Sequence, residues 1–273
     1  MQGEQRGARA NCSGTVDNLL IDRMVCQDSQ RARRNLSTAW IDVKKAYDSV
    51  DHRWLEQMFS LHRFPRWIGD VIIRLSAKWN TKIAVRTVKG MQTSEPIRFS
   101  KGLPQGDALC PRLFTMSINP LAWKLRASEG YRLSRPISQK VTDLLYIDDL
   151  KIYAASQGKL QVVMSDVRMA MEDIGLAWNE RKCAVAHVKR GKLETSDESF
   201  IREEDVIESL KEGSQYKLLG VLENVNHEDN LVLQNAEKVY LDRLSVIWSS
   251  PLSEYNKVLA TNQFALLALT YFM

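Results

Sequence analysis

Cysteine is scarce and unpaired in this chain: Cys12, Cys26, Cys110 and Cys183 stand singly, without the spacing of a zinc site or the density of a disulfide scaffold. A disulfide-held secreted module is excluded, and a reducing compartment is implied. Long hydrophobic runs are missing too. The opening Met1-Gln2-Gly3-Glu4-Gln5-Arg6 has no apolar core of a signal peptide, and no window reaches the length of a membrane span. The expectation is a soluble intracellular protein with no membrane partner. The histidines His52, His62, His187 and His227 show no ligand spacing, and no Gly-rich phosphate loop of the nucleotide-hydrolase type occurs. Repeats and low-complexity tracts are absent.

What is present suits a folded globule: 273 residues, 44% of them hydrophobic, enough for one large domain or two small ones. A net charge of +5 suits a polyanionic partner, although a solvated basic surface gives the same total. Arg31, Arg33 and Arg34 form one basic cluster, and Lys189, Arg190 and Lys192 another. Phosphate contacts are one reading of both; complementing a helix C-terminal dipole is another for the first.

Periodicity predicts a helix over residues 13–33, with Val16, Leu19, Leu20 and Met24 at helical spacing and Ser13 or Thr15 as cap. A strand follows over 36–43, then a turn and helix over 46–61, and a second helix over 67–79. Period-two alternation on either side of Lys89-Gly90 reads as a hairpin. Pro111 suits the first turn of a long helix ending near Gly130. Strands over 141–146 and 150–155 precede a helix whose stripe runs from Leu160 to Ile174 and stops at Gly175. A strand over 184–188 is followed by a charged stretch, 189–212, expected to be a surface excursion, and then by a strand over 216–222 and helices from His227 on.

The most informative stretch is Tyr146-Ile147-Asp148-Asp149, two adjacent carboxylates between apolar runs. An acidic pair at a hairpin tip, joined by a third acid from another strand, can hold divalent cations against a triphosphate. Asp42 is the candidate third acid. A plain Asp-Asp turn explains the tetrad by itself. It does not explain the order Trp40-Ile41-Asp42-Val43, Lys45-Ala46-Tyr47-Asp48, Lys101-Gly102-Leu103-Pro104-Gln105-Gly106-Asp107, the tetrad, Gly175 to Lys182, and Tyr216-Lys217-Leu218-Leu219-Gly220.

That succession resembles the reverse transcriptases of non-LTR (LINE-like) retrotransposons, over most of the chain. The resemblance implies an α+β fold: a right-hand polymerase palm, an antiparallel sheet backed by helices, with partial fingers and the start of a thumb. Residues 1–40 would be partial fingers, 41–225 the palm with inserted fingers elements at about 62–100, and 226–273 the start of the thumb. It implies an RNA-directed DNA polymerase that uses an RNA template, a DNA primer and deoxynucleotide triphosphates, with two Mg²⁺ ions, Mn²⁺ able to substitute, in the nucleus or cytoplasm. The chain is expected to be truncated at fingers and thumb, so a silent or domesticated remnant competes with an active enzyme. An RNA-copying RNA polymerase shares paired aspartates, but Tyr146-Ile147 before the pair and Tyr47 near Asp42 argue against it.

Residue by residue, the resemblance implies metal ligation by Asp42, Asp148 and Asp149, with the backbone carbonyl of Val43 completing one shell. Tyr47 would lie under the sugar and exclude a 2′-hydroxyl; a buried core tyrosine is the other reading. Gly102, Gln105 and Gly106 match a loop touching the templating base and nucleotide, with glycine there for close approach of backbone to ligand. Cys110 stands where serine is usual, which weakens the expected helix cap. Lys182 would contact or protonate the leaving pyrophosphate, or is a solvated surface lysine. Tyr216 and Gly220 match a turn gripping the primer end, and Asp48 is expected to cap structure.

Overall fold

The computed structural model describes residues 14–88, 90–134, 139–194, 200–202, 205–211, 216–219, 221–223 and 229–272. These fall into two compact units, Met1–Leu210 and Lys211–Met273. In the first, α1 (Gly14–Arg31) leads into β1 (Leu36–Ile41), followed by α2 (Ala46–Ser49), α3 (His52–Leu61) and α4 (Arg66–Ser76). Strands β2 (Asn80–Thr81) and β5 (Ile97–Arg98) pair, as do β3 (Ala84–Thr87) and β4 (Gly90–Thr93), in the hairpin the alternation predicts. Lys89 and Ser13 lie outside the described residues.

Next come α5 (Cys110–Ala127), the paired β6 (Tyr131–Arg132) and β7 (Lys140–Val141), β8 (Asp143–Tyr146), β9 (Asp149–Ala154) and α6 (Gln157–Ile174). A short 3₁₀ turn, Glu180–Lys182, precedes β10 (Ala184–Lys189), β11 (Lys192–Glu194), β12 (Phe200–Arg202) and β13 (Asp205–Ser209). The second unit holds β14 (Tyr216–Leu218), β15 (Val221–Glu223), α7 (Asp229–Ser249), α8 (Glu254–Ala260) and α9 (Leu266–Phe272).

The main sheet runs β12-β13-β10-β1-β9-β8, with β11 paired to β10. Strand β1 is central because all six of its residues are buried, with antiparallel neighbours on both sides. Alternation then divides its residues between two faces. Ala39 and Ile41, with Leu150, Ile152 and Ala154 of β9, join the core made with α5 and α6. Helix α6 presents Leu160, Val163, Met164, Val167, Met171 and Ile174 to that core, each burial contributing about 1.5–3 kcal/mol. Ser156 caps its start and Gly175, left-handed at φ 91°, ends it as the sequence predicts.

Pro120 lies inside α5 and has no N–H for the carbonyl of Met116, four residues back. His62 Nε2 supplies that donor at 3.0 Å, and Trp54 Nε1 donates to the next carbonyl, Ser117, at 3.0 Å. Helix α3 and the His62 that follows it are thus tied to α5 where proline loosens it.

Four expectations need correction. The apolar positions Val16, Leu20 and Met24 of α1 are exposed, and the face it buries carries Asn18, Asp22, Val25, Cys26 and Ser29. The charged stretch after β10 is not merely a surface excursion: β13 pairs with β10 in parallel and places Ile207 in the core. Residues 216–222 form a hairpin, β14–β15, because Leu219 turns the chain at φ 49°. Asp51, not Asp48, caps a helix, its side chain accepting from Arg53 N at 2.8 Å at the start of α3.

Candidate active site

Strands β8 and β9 pair up to Tyr146↔Asp149, so Ile147 and Asp148 form a two-residue turn. Ile147 has φ 58°, a conformation that costs a β-branched residue about 1–3 kcal/mol, and such strain persists only where its surroundings impose it. Strand β1 pairs with β9 as Trp40↔Lys151 and Ile41↔Leu150, and the next step of that register sets Asp42 beside Asp149. Three carboxylates therefore gather at one edge. Burial and the neighbouring charge of Asp42 raise the pKa of Asp148. Partial burial first, then the charges of Asp148 and Asp42, push Asp149 up to about 6, although its side chain still reaches solvent.

The main chain at Asp42 is anchored by the segment after α6. Asn179 N donates to Asp42 O at 2.9 Å, Lys44 N to Ala177 O at 2.8 Å, and Val43 bridges to Trp178. Asp42 N points to Cys183 Sγ at 3.4 Å. Burial pushes that thiol up to about 12, so it stays protonated at neutral pH and is no anionic ligand. Val43 is buried directly after Asp42.

Tyr47, in α2, is half-buried and stacks on Phe114 of α5, centroids 4.7 Å apart and planes at 14°. Burial, then the charge of Asp148, raises its pKa, which places the phenol in the field of the acidic cluster. The two readings of Tyr47 are therefore compatible: one face packs in the core while the hydroxyl feels Asp148.

The Gly102 segment docks on α2 through Gly102 N to Val50 O and Leu103 N to Tyr47 O, both 2.7 Å. The close approach that demands glycine is to protein, because a Cβ at Gly102, φ 85°, would lie 2.7 Å from Asp48 O. Gln105 and Gly106 are exposed, and Gly106 at φ 100° has open space around it. The start of α5 at Leu109 carries no side-chain cap, in line with the cysteine at 110, and Asp107 makes only a local turn ahead of it, its carboxylate accepting from Leu109 N at 2.8 Å. Lys182 is exposed in the 3₁₀ turn, one residue before Cys183. Tyr216 is half-buried in the second unit, and Gly220 lies outside the described residues.

The structure thus brings Asp42, Asp148, Asp149 and Tyr47 together, with Gly102 beside Tyr47. Among the described residues no group of three or more His, Cys, Asp or Glu side chains forms a ready-made metal cage. The acids fit divalent cations by chemistry: hard oxygen donors whose mutual repulsion a cation relieves.

Three features were not foreseen. Phe114 supports Tyr47. A buried ion pair, Lys151 with Asp22, lies behind the acids; a lysine within the apolar run Leu150 to Tyr153 was the available signal. Finally, the two basic clusters are one: Gly191 N donates to Arg34 O at 3.1 Å and Arg190 N to Asn35 Oδ1 at 3.0 Å. Both lie at the opposite end of β1 from Asp42, about 25 Å away at some 3.3 Å per residue.

This arrangement, a sheet backed by two helices with acids at a hairpin tip, has the architecture of a right-hand polymerase. Two solved structures of telomerase from Candida Tropicalis share the fold. One, truncated from its C-terminal domain, superposes with TM-score 0.50 at 15% identity over 80% of this chain and 40% of that one. The other, in complex with the TWJ fragment of telomeric RNA, gives 0.51 at 14% identity over 94% of this chain and 41% of its own.

The family model "Reverse transcriptase (RNA-dependent DNA polymerase)" matches residues 2–222, and the chain belongs to that family. It is similar to the retrovirus-related Pol polyprotein from type-1 retrotransposable element R2 of Nasonia vitripennis, 27% identical over 77% of this chain and 20% of the relative. It also resembles the type-2 R2DM Pol polyprotein of Drosophila melanogaster, 26% identical over 76% of this chain and 19% of the relative. The chain therefore spans about a fifth of the length of these relatives. The resemblance to non-LTR retrotransposon reverse transcriptases is borne out, and membership of the family implies divalent-metal dependence in general terms. No described helix is long and apolar enough to cross a membrane.

Proposed function

We propose that this chain is the polymerase core of a retroelement reverse transcriptase, extending a DNA primer on an RNA template with deoxynucleotide triphosphates. The observation that carries this reading is the register that sets Asp42, directly after β1, beside Asp149 and next to Asp148 at the tip of the β8–β9 hairpin. Two Mg²⁺ ions, or Mn²⁺ in their place, would supply a lowered pKa at the primer 3′-hydroxyl and charge neutralisation on the triphosphate. Asp42, Asp148 and the Val43 carbonyl would hold them, with Asp149 contributing from the strand side.

The 3′-oxygen attacks the α-phosphorus as the bond to pyrophosphate breaks. Lys182 is the candidate to contact or protonate that leaving group. Tyr47, stiffened by Phe114, sets the floor under the sugar, and its ring excludes a 2′-hydroxyl. Gln105 and Gly106, exposed on the loop ahead of α5, face the nucleotide, and Gly102 shapes that loop. Tyr216 and Gly220 would grip the primer end. In domain terms, the segment before β1 serves as fingers, β1 to 225 as palm with fingers elements at about 62–100, and 226–273 as the start of a thumb, so the boundary expected at 40 moves to the start of the central strand.

Primer extension on an RNA template with deoxynucleotides and Mg²⁺ tests this, comparing the chain with Asp148→Asn. The expected outcome is extension by the first and loss of at least about 100-fold in the second, in line with removing one preorganised charge partner of the transition state. Equal output from the two would overturn it.

A further inference from the structure

Helix α2 is a single turn, Ala46–Ser49, entered through Lys45 at φ 46°. So short a helix does not hold itself in place and takes its position from the bonds that reach it. Two of these come from Gly102 and Leu103, whose N–H groups donate to Val50 O and Tyr47 O. What holds that segment in turn therefore bears on the Tyr47 ring.

The peptide joining Gly102 to Leu103 is gripped at both ends. Its N–H donates to Tyr47 O at 2.7 Å, and its carbonyl accepts from His52 Nε2 at 2.8 Å. A glycine at φ 85° has no Cβ to resist rotation of that peptide, so hydrogen bonds must fix its plane. In a chain of this kind, imidazole to peptide to main chain, each bond strengthens the next. The imidazole is itself held: His52 begins α3 directly after the capping Asp51, and its ring lies edge-to-face with that of Trp79, centroids 5.7 Å apart. Trp79 is anchored through its carbonyl, which accepts from Phe99 N at 3.1 Å.

We infer that His52 is a positioning residue for sugar selection: through the Gly102–Leu103 peptide it holds the turn that presents Tyr47, and so sharpens the exclusion of ribonucleotides. The inference rests on the reading of Tyr47 as the floor under the sugar and deepens it. His52 acts on the sugar only through that peptide and Tyr47.

The test uses two substitutions that separate donor from bulk. His52→Phe keeps a ring against Trp79 but has no N–H, whereas His52→Gln keeps an amide donor at the end of its side chain. Single-nucleotide primer extension gives the ratio of kcat/KM for a ribonucleotide to that for its deoxynucleotide, and melting is followed for each protein. His52→Phe should raise the ratio at least about fivefold, part of the roughly 10–200-fold by which a pocket separates substrates differing by one small group. His52→Gln should stay within about twofold of the parent. Val188→Ala, which opens a cavity where β10 meets Leu36 at the far end of β1, should melt lower and leave the ratio unchanged.

A folded His52→Phe with the parental ratio overturns the inference. So does a His52→Gln as altered as His52→Phe, or a Val188→Ala whose ratio rises with its loss of stability, since neither fits a role for the imidazole donor. If His52→Phe does not fold, His52→Ala is read by the same criteria, and failure of both to fold overturns a role confined to positioning. Failure of the underlying reading looks different: Tyr47→Ala then leaves the ratio at the parental value, or the parent extends no primer, and this inference falls with it.

Discussion

His62 Nε2 lies 3.0 Å from the carbonyl oxygen of Met116, the oxygen that Pro120 leaves without its helical donor. The imidazole therefore repairs a backbone defect inside α5, the helix that carries Phe114 beneath Tyr47. His62→Ala should cost about 1–3 kcal/mol, the penalty for a buried acceptor left unpaired. Restoring the helical donor by Pro120→Ala in the same chain should recover part of the loss. Urea unfolding of the four proteins in this cycle measures both, and additive effects would show that the bond does not act as described.

Tyr47→Ala should raise ribonucleotide incorporation relative to deoxynucleotide, because the ring over Phe114 forms the floor against a 2′-hydroxyl. Phe114→Ala should do the same more weakly while costing about 3–5 kcal/mol as a fully buried ring is lost. Misincorporation ratios from single-nucleotide extension check the first effect, and an unchanged ratio in Tyr47→Ala would remove it.

Without metal, the acidic edge should make stability depend on pH. Asp149 is held up to about 6, above the ordinary carboxylate value near 4, by burial and by the charges of Asp148 and Asp42. The folded state thus prefers the protonated acid. Its contribution is fully present below pH about 4 and is lost as pH rises through about 6. In EDTA, Asp149→Asn should melt higher than the parent above pH 6 and level with it below pH 4. A constant offset across that range would contradict the shift.

The glycines at 102 and 106 should differ in cost. Gly102→Ala adds a Cβ 2.7 Å from Asp48 O on top of a φ of 85°, so a loss of at least about 2–3 kcal/mol is expected. Gly106→Ala meets only the strain of φ 100° in open space and should lose about 1 kcal/mol. Denaturant midpoints compare them directly.

The basic end of the sheet should show in salt dependence. Arg31, Arg132 and Lys192 are exposed, and Gln at all three should flatten the slope of log affinity for single-stranded RNA against log salt by about 2 units, at roughly 0.7 per phosphate contact. Filter binding across a salt series reads this, and an unchanged slope would assign the patch to solvent.

Much of this was legible before any coordinates. The stripe from Leu160 to Ile174 with Gly175 behind it specified α6, because a wide apolar face and a left-handed stop are both local signals. The tetrad as a hairpin tip was legible for the same reason. Helix α1 was misread because its burial is polar: Asp22 is held inside by Lys151 and Tyr153, more than 100 residues later. Strand β13 hid in a charged stretch because pairing with β10 and a single core residue, Ile207, suffice to fix it. Among the candidate site residues, the resemblance carried by the motif order pointed to the three acids and Tyr47, which the fold brings together. The partners that orient them, Cys183, Phe114 and the segment at 177–179, come from tertiary proximity and leave no mark on a linear pattern.

The central position of β1 also governs when the molecule can be completed. Ser37 bonds His187 across 150 residues of sequence. At a synthesis rate of about 5–20 residues per second, the strand that leads into Asp42 waits about 8–30 s on the ribosome for the neighbour that closes its second edge. A nascent chain ending short of β10 therefore leaves that edge open to pairing with another strand, and the acidic edge is finished late in synthesis.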